Sequence, residues 1–451
     1  MAVTGNAKPL TSLDQLLELF HDAEKPRARW RIGTEAEKVG VYTDGSPVPY
    51  ASERGVRAVL AELVRSHGWF EEREHAEGDL IALRRGDASI TLEPGAQLEL
   101  SGAPLATIHE TCGEFRGHMR ELSDISEKLG IVWLGLGFHP FARREDLAFV
   151  PKLRYGVMRQ YLPTRGQYGL DMMLRTCTVQ ANLDYASEED AIRKLRVSLR
   201  LQPIVTAMFA NSPFVDGAAT GERSHRARVW LDVDNDRAGL LDFAWDESPM
   251  GYRRYVEWAL DVPMFLVKRE GRIVHNTGQT FRRFLAEGFE GERATYEDWA
   301  THVNTLFPEV RLKRTLEMRG ADSLPTDLVC ALPALWKGLL YEDHALAAVE
   351  SLASRIQLAD AKAARPEIAD KALHARLGGR EVGEWAADLL RIAEGGLERL
   401  SNLNKSGEDE RIHLARLARL VAKGQSPADA LLEKIDPAQP LVPQVLQHAR
   451  L

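Results

Sequence analysis

The chain has 451 residues, 44% of them hydrophobic, and a formal net charge of −8 from 58 basic and 66 acidic side chains. Such a length can bury a large core or build two to three domains, and the mild acidity argues against a nucleic-acid-binding surface, which is normally basic. No apolar run reaches the roughly 18–20 residues that span a bilayer, and Met1–Leu10 shows no basic segment leading into an apolar one, so the expectation is a cytoplasmic protein with no membrane partner.

Cys112, Cys177 and Cys330 are too few for a disulfide framework, and no CxxC occurs. The 13 histidines form no HxxxH pair, which disfavours a zinc site of the zincin kind. A bound metal would have to be held by carboxylates, and that favours hard Mg²⁺ or Mn²⁺.

In chain order, Ser12-Leu13-Asp14-Gln15 reads as a capping box opening an amphipathic helix with Leu13, Leu16, Leu17 and Phe20 on its apolar side. Arg31 to Lys38 alternates like a strand. Glu35 and Glu37, two residues apart, share a face. Carboxylates that close repel by roughly 1 kcal/mol in water and about 4 kcal/mol at an effective dielectric of 20. A solvated pair bears this easily; a buried pair needs a cation. Tyr42–Tyr50 carries turn signals, 54–66 reads as a helix, and short strands are expected near 80–83 and 89–92. Pro94-Gly95 then bends the chain between Glu93 and Glu99, and Gln97 and Glu99 share a strand face.

Residues 104–129 read as a long helix and Ile131–Phe138 as a buried strand. Gly135-Leu136-Gly137 is only a GxG, without the full fingerprint and following helix of a dinucleotide site. Arg154, Arg159 and Arg165 alternate with Tyr155, Tyr161 and Tyr168. Scattered arginines are mostly surface, but an anionic substrate in an acidic pocket would need one. Thr176–Asp184 alternates as a strand whose Thr178, Gln180, Asn182 and Asp184 face either solvent or a polar cleft. Ser187 caps a helix to about Phe209. Asp232, Asp234 and Asp236 form a DxDxD without the glycine and distal glutamate of a calcium loop.

Residues 250–310 mix short elements, with Trp258, Phe265 and Trp299 expected in the core. In Arg311–Gly320, Glu317 and Arg319 share one strand face, and Leu316 and Met318 the other. From Pro325 onward helices dominate. Ser426-Pro427 starts one, and the proline-containing tail after Asp436 is expected to be loosely ordered. No repeat or linker divides the chain. The expectation is a catalytic domain over 1–340 with a helical region, 341–451, packed on it.

Three acidic strand clusters (ExE, ExxxxxE, ExR) and a TxQxN strand, in this order, go beyond composition. Trp30–Lys38, Thr91–Ser101, Gly135–Pro140, Arg154–Met158, Leu170–Tyr185, Leu201–Phe214 and Phe307–Gly320 together resemble the plant-type and proteobacterial glutamate–cysteine ligases, from about Pro9 to Tyr341 and more weakly to the C-terminus. The resemblance implies an α+β fold: a curled antiparallel sheet funnel surrounded by helices, glutamine synthetase-like, with a helical C-terminal part. It also implies the reaction. ATP phosphorylates the γ-carboxylate of glutamate, and the amine of cysteine attacks the acyl phosphate to give γ-glutamylcysteine, opening glutathione biosynthesis.

By the same resemblance, Glu35, Glu37, Glu93, Glu99 and Glu317 are metal-ligand candidates for Mg²⁺ or Mn²⁺. Arg319 and Glu37 are catalytic candidates, Arg319 stabilising charge on the transferring phosphoryl group. Arg154 and Arg226 match arginines that hold glutamate, and Gln180 and Asn182 face the same cleft. The implied partners are glutamate, cysteine and ATP, in a monomer or homodimer. Ala36, Val39, Arg228 and Thr326 depart from the family pattern. Arg228 and Thr326 motivate a different amine acceptor as an alternative; a non-catalytic nucleotide- or amino-acid-binding relative is a third reading, against which the intact glutamate set argues. Cys112 and Cys330 match positions where the family often carries a disulfide that modulates activity. In a reducing cytoplasm two free thiols are the default. Cys177 is expected to be a buried, inert thiol.

Overall fold

Alternation from Ile32 to Tyr42 produces an 11-residue strand, β1, around which the sheet is assembled. Ile32 and Ala36 are buried on one of its faces, while Glu35 and Glu37 point to the other side, into a cleft. These relations come from a computed structural model that describes residues 9–74, 77–247, 249–269 and 272–451. The expectation about a leader segment therefore rests largely on Met1–Lys8, which lie outside the described residues.

Eight further strands complete the main sheet: β2 (Phe70–Glu72), β3 (Ala82–Arg85), β4 (Ala88–Leu92), β5 (Leu98–Ser101), β6 (Ile131–Leu134), β7 (Thr178–Leu183), β8 (Val310–Leu312) and β9 (Leu316–Asp322). Their order is β8-β9-β7-β1-β5-β4-β3-β2, with every neighbouring pair antiparallel. Strand β1 divides its pairing. Its first part lies between β7 and β5, and Val39–Tyr42 pairs with β6. The acidic pair thus sits at mid-sheet, where both neighbouring strands can contribute side chains.

Helices cover the apolar face. Thr107 and Glu110 form a reciprocal capping box for Ile108–Leu129, and Gly130, at φ 71°, ends it in the left-handed conformation glycine tolerates. Ser187 caps Glu188–Met208, which is buried along most of its length. The first helix, Asp14–His21, takes no cap from a Ser12 hydroxyl; instead Gln15 Oε1 accepts from the Thr11 and Ser12 amides. Leu16 and Phe20 are buried, and Trp299 Nε1 donates to Leu16 O at 3.0 Å. Trp258, expected in the core, is only partly buried at its margin.

The chain after Cys330 is mainly helical, with one short hairpin at Arg376–Leu377 and Arg380–Glu381: Ala331–Leu340, Asp343–Ala353, Leu358–Lys371, Val382–Leu400, Ala415–Ala422, Pro427–Leu432 and Leu441–His448 are its α-helices. Two of these cross very closely, since a Cβ on Gly396 would stand 1.9 Å from Gly338 O. The tail departs from the expectation of loose order. Val445 and Ala449 bury against Val39, Val41, Leu134 and Leu136, and the Leu451 amide donates to Trp133 O at 3.0 Å. That apolar seam outweighs the local effect of the prolines. No described helix is long and apolar enough to cross a membrane.

Cys112, in the Ile108–Leu129 helix, is joined by a disulfide to Cys330, just before Ala331–Leu340, with Cα atoms 5.9 Å apart. Cys177 is a buried free thiol, its pKa pushed well up by burial and by the nearby Glu37 carboxylate.

Candidate active site

The polar face of β1, β5 and β7 opens into a cleft of about 1390 Å³, counted to its open mouth, that reaches Glu35, Glu37, Glu93, Glu99, Arg154, Gln180, Arg226 and Arg319. Register explains the convergence. Glu37 lies directly opposite Glu99 of β5, and Glu35 directly opposite Gln180 of β7. Glu93 enters from the turn after β4, where its amide donates to Gln97 O. The Gln97 side chain points away from the carboxylates. Its Oε1 accepts from Gly95 N, and its Nε2 donates to Met173 O and Thr176 O.

The carboxylates are held by neutral donors. Asn182 Nδ2 donates to Glu35 Oε1 at 2.8 Å, and the Thr178 amide to Glu37 Oε2 at 2.9 Å. Glu99 accepts from Thr91 Oγ1 at 2.9 Å and Ser101 Oγ at 2.5 Å. These donors do not offset the crowding of charge. Burial, then Glu93 and Glu99, push the Glu37 pKa well above its ordinary value. Burial, then Glu317, push that of Glu35 up to about 7.

Glu317 stands apart from this group. It is fully buried, and Arg311, directly across the β8–β9 ladder, donates through Nε at 2.6 Å and Nη2 at 2.9 Å. Lys313 Nζ (2.5 Å) and Arg319 Nη1 (3.0 Å) donate to it as well. Burial raises its pKa, but Arg311, Lys313 and Arg319 outweigh that and hold it well below the usual carboxylate range. Among the described residues, no three His, Cys, Asp or Glu side chains are drawn together as a preformed metal cage. The expected five-carboxylate set is thus a group of four around the cleft, with Glu317 neutralised behind it.

The cations come from β9 and from a short helix, His225–Val229. The β7–β9 register shifts between Met318 and Ala321, an inserted residue that makes a β-bulge at Arg319-Gly320. The bulge frees two carbonyls: Arg226 Nη2 donates to Arg319 O at 2.8 Å and Nη1 to Gly320 O at 3.4 Å. Arg319 Nη1 also donates to Gln180 Oε1 at 2.9 Å. Gln180 and Asn182 therefore tie Arg319 and Glu35 in place. Arg154 projects into the cleft with its guanidinium 5.1 Å from the Tyr155 ring centre. Arg228 points elsewhere, bonded to Glu222 at 2.9 Å and to Asp370. Ala36 is buried on the opposite face and Val39 belongs to the seam with the C-terminal helix, so neither departure enters the cleft.

Sequence reasoning did not assign Arg311, Lys313, Trp230, Lys268 or Asp322 to the site, and it expected Phe265 only in the core, where it is buried while also lining the cleft. The first two follow from alternation in Arg311-Leu312-Lys313. Trp230 follows from its four-residue spacing after Arg226. Lys268 comes from a hairpin, Leu266–Arg269 with Arg272–His275, which carries no local signal for the cleft.

The sequence profile of glutamate–cysteine ligase family 2 matches residues 31–448. The chain belongs to that family. It is an enzyme, a ligase that forms γ-glutamylcysteine in the first step of glutathione biosynthesis. The chloroplastic glutamate–cysteine ligase of Brassica juncea is 45% identical over 432 residues, covering 94% of this chain and 81% of that protein. Glutamate–cysteine ligase B, chloroplastic, of Oryza sativa subsp. japonica is 43% identical over 429 residues, covering 94% and 84%. A solved glutamate–cysteine ligase from Francisella tularensis, in complex with AMP, superposes with a TM-score of 0.57 at 14% identity, covering 93% of this chain and 87% of that one. That likeness shows the shared fold. The cytoplasmic expectation is corrected by these relatives: the plant ligases are chloroplastic proteins, and lack of a signal-like stretch in the sequence does not decide compartment.

Proposed function

We propose that this family reaction runs in the Glu35–Arg319 cleft, with ATP as phosphoryl donor and the cleft's residues in the following roles. Arg154 and Arg226 hold the carboxylate of glutamate, since a guanidinium fork matches a carboxylate. The γ-carboxylate oxygen attacks the γ-phosphorus of ATP, and ADP leaves. Arg319, aimed by Glu317 and Gln180, stabilises the charge spread over the transferring oxygens. The cysteine nitrogen then attacks the acyl carbon, losing a proton, and phosphate leaves. The departing phosphate can carry that proton, and Glu37, a catalytic candidate by resemblance, would act through the cation it holds.

The donor set fits a hard divalent cation such as Mg²⁺ or Mn²⁺. It is all carboxylate, and the raised pKa values of Glu35 and Glu37 mark negative charge that the protein itself leaves uncompensated. Glu35, Glu37, Glu93 and Glu99 would hold the cation, which would supply charge neutralisation and Lewis-acid polarisation of phosphate oxygens. Glu317, expected among the ligands, is assigned here to holding Arg319.

The observation that carries this reading is the meeting of four cleft carboxylates with Arg154, Arg226 and Arg319 in one cavity. ADP release with glutamate and Mg-ATP tests it as the amine is varied. Turnover that depends on cysteine and yields γ-glutamylcysteine is expected. Turnover with another amine but little with cysteine would instead favour an altered acceptor. Glu35→Gln should abolish turnover, and normal activity in that variant would refute the carboxylate assignment.

A further inference from the structure

Asp322 closes strand β9, three residues beyond Arg319, and is almost fully buried. It lies outside the cleft lining yet holds an unusually dense set of bonds. One oxygen accepts from the Asn211 amide at 2.7 Å and from Ser212 Oγ at 2.7 Å; the other accepts from Ser224 Oγ at 2.9 Å. Both serines act on the helix that carries Arg226. Ser224 is its N-cap, accepting from Ala227 N at 3.0 Å, and Ser212 Oγ accepts the Arg226 amide at 3.1 Å. Asp322 also stands 3.8 Å from Arg226 Nη1. Burial raises the Asp322 pKa, whereas Arg226 and the three donors lower it, so its charge rests on the partners it organises.

The Gly135-Leu136-Gly137 stretch finds its reason here. A Cβ on Gly137 would stand 2.3 Å from Asp322 Cγ and 2.6 Å from Oδ2. Only glycine lets this backbone pass against the carboxylate. The Gly137 amide donates to Asn211 O at 3.0 Å, fixing the same segment that feeds Asp322.

We propose that Asp322 is a positioning residue for glutamate binding, holding the Arg226 helix at its N-cap and supplying the buried counter-charge that keeps the guanidinium aimed into the cleft. This rests on the assignment of Arg226 to the substrate carboxylate. The arrangement separates the two sides of Arg226: Asp322 and the bulge carbonyls fix it from behind, and its cleft side is left for an anion.

The test is steady-state kinetics of the full chain with Mg-ATP, glutamate and cysteine for Asp322→Asn, Arg226→Lys and the double variant, with thermal unfolding of each. Asp322→Asn should raise the glutamate KM about ten-fold, leave the ATP and cysteine KM values within about two-fold, and reduce kcat less than it raises KM. Arg226→Lys should raise the glutamate KM by itself, and adding Asp322→Asn to it should have little further effect, because both act through one group. If Arg226→Lys raises the glutamate KM and Asp322→Asn does not, the inference fails and the Arg226 assignment stands. If Arg226→Lys leaves the glutamate KM unchanged, the assignment fails and the inference with it. A rise shared equally by all three substrates, or full additivity in the double variant, would reduce Asp322 to general stability and overturn the proposal. Should Asp322→Asn not fold, Ser212→Ala removes one bond of the network; a smaller rise confined to glutamate is expected, and an equal change for all substrates overturns the proposal.

Discussion

Glu35 makes the cleft's unmet charge measurable. Its pKa moves from an ordinary 4.5 to about 7, first through burial and then through Glu317, against the opposing pull of Lys313. The folded state therefore binds this proton more tightly than the unfolded chain does. The stabilisation it confers is complete below pH 4.5 and is lost as pH rises through about 7. At about 1.4 kcal/mol per pH unit, the displacement corresponds to about 3 kcal/mol. Protein freed of divalent ions with EDTA should accordingly lose stability between pH 5 and pH 8, read as a falling urea midpoint. Glu35→Gln, neutral at every pH, should flatten that slope by Glu35's share and be more stable than the parent at pH 8. Millimolar Mg²⁺ should restore the parent at pH 8, because a ligand that selects the ionised folded form stabilises it by mass action, and should restore Glu35→Gln less. An identical pH slope in parent and Glu35→Gln, both without metal, would refute the reasoning.

Glu317→Gln removes the only acidic group bonded to Arg311, Lys313 and Arg319 together among the described residues; breaking a buried pair costs about 3–5 kcal/mol. Urea unfolding should show a loss of that order along with a collapse of kcat, and unchanged stability would count against the cluster. Gly320→Ala drives a Cβ to 2.2 Å from Gln202 Oε1 and 2.8 Å from Thr206 Oγ1. It should distort the bulge and raise the glutamate KM, and wild-type kinetics would show that the bulge carbonyls do not matter. Arg228→Ala should leave kcat/KM within about two-fold, as expected for a side chain away from the site; a ten-fold loss would place Arg228 in substrate binding after all.

Much of this was legible because β1 and β7 alternate cleanly. A period of two puts Glu35 with Glu37, and Thr178 with Gln180 and Asn182, whatever surrounds them. The helix over Glu188–Met208 was legible from its Ser187 cap for a similarly local reason. Glu317 was harder. Its ExR pattern assigns it a face, but only the β8–β9 register brings Arg311 across from it, and that pairing decides whether the carboxylate is a ligand or a counter-ion. The tail failed for the opposite reason. Pro437, Pro440 and Pro443 are strong local signals, yet the apolar seam along Val39, Leu134 and Val445 lies in residues far apart in sequence. Arg228, a departure from the family pattern two residues after Arg226, turns to Glu222 and Asp370, because residues two apart on a helix do not share a face.

The cleft needs carboxylates and guanidiniums a few ångströms apart without letting them neutralise each other. Strand β7 supplies the separation. It lies between acidic β1 and cationic β9; Gln180 lines the cleft and Asn182 meets Glu35, and the amides of both can donate and accept. Asn182 donates to Glu35 while its own oxygen accepts from Thr315 Oγ1 at 3.0 Å. Gln180 accepts from Arg319. A carboxylate at either position could not donate to Glu35, and a lysine could not accept from Arg319. Lys313, 3.9 Å from Glu35, crosses the divide but is engaged more closely by Glu317 at 2.5 Å. Glu35 therefore keeps a charge that must be met from outside the protein, as Arg319 keeps donors for an incoming anion. On the proposed reading, a metal-bound nucleotide would bring both complements at once, its cation for the acidic side and its transferring oxygens for the basic one. On this view the two amides of β7 are what keep the site open for such a substrate.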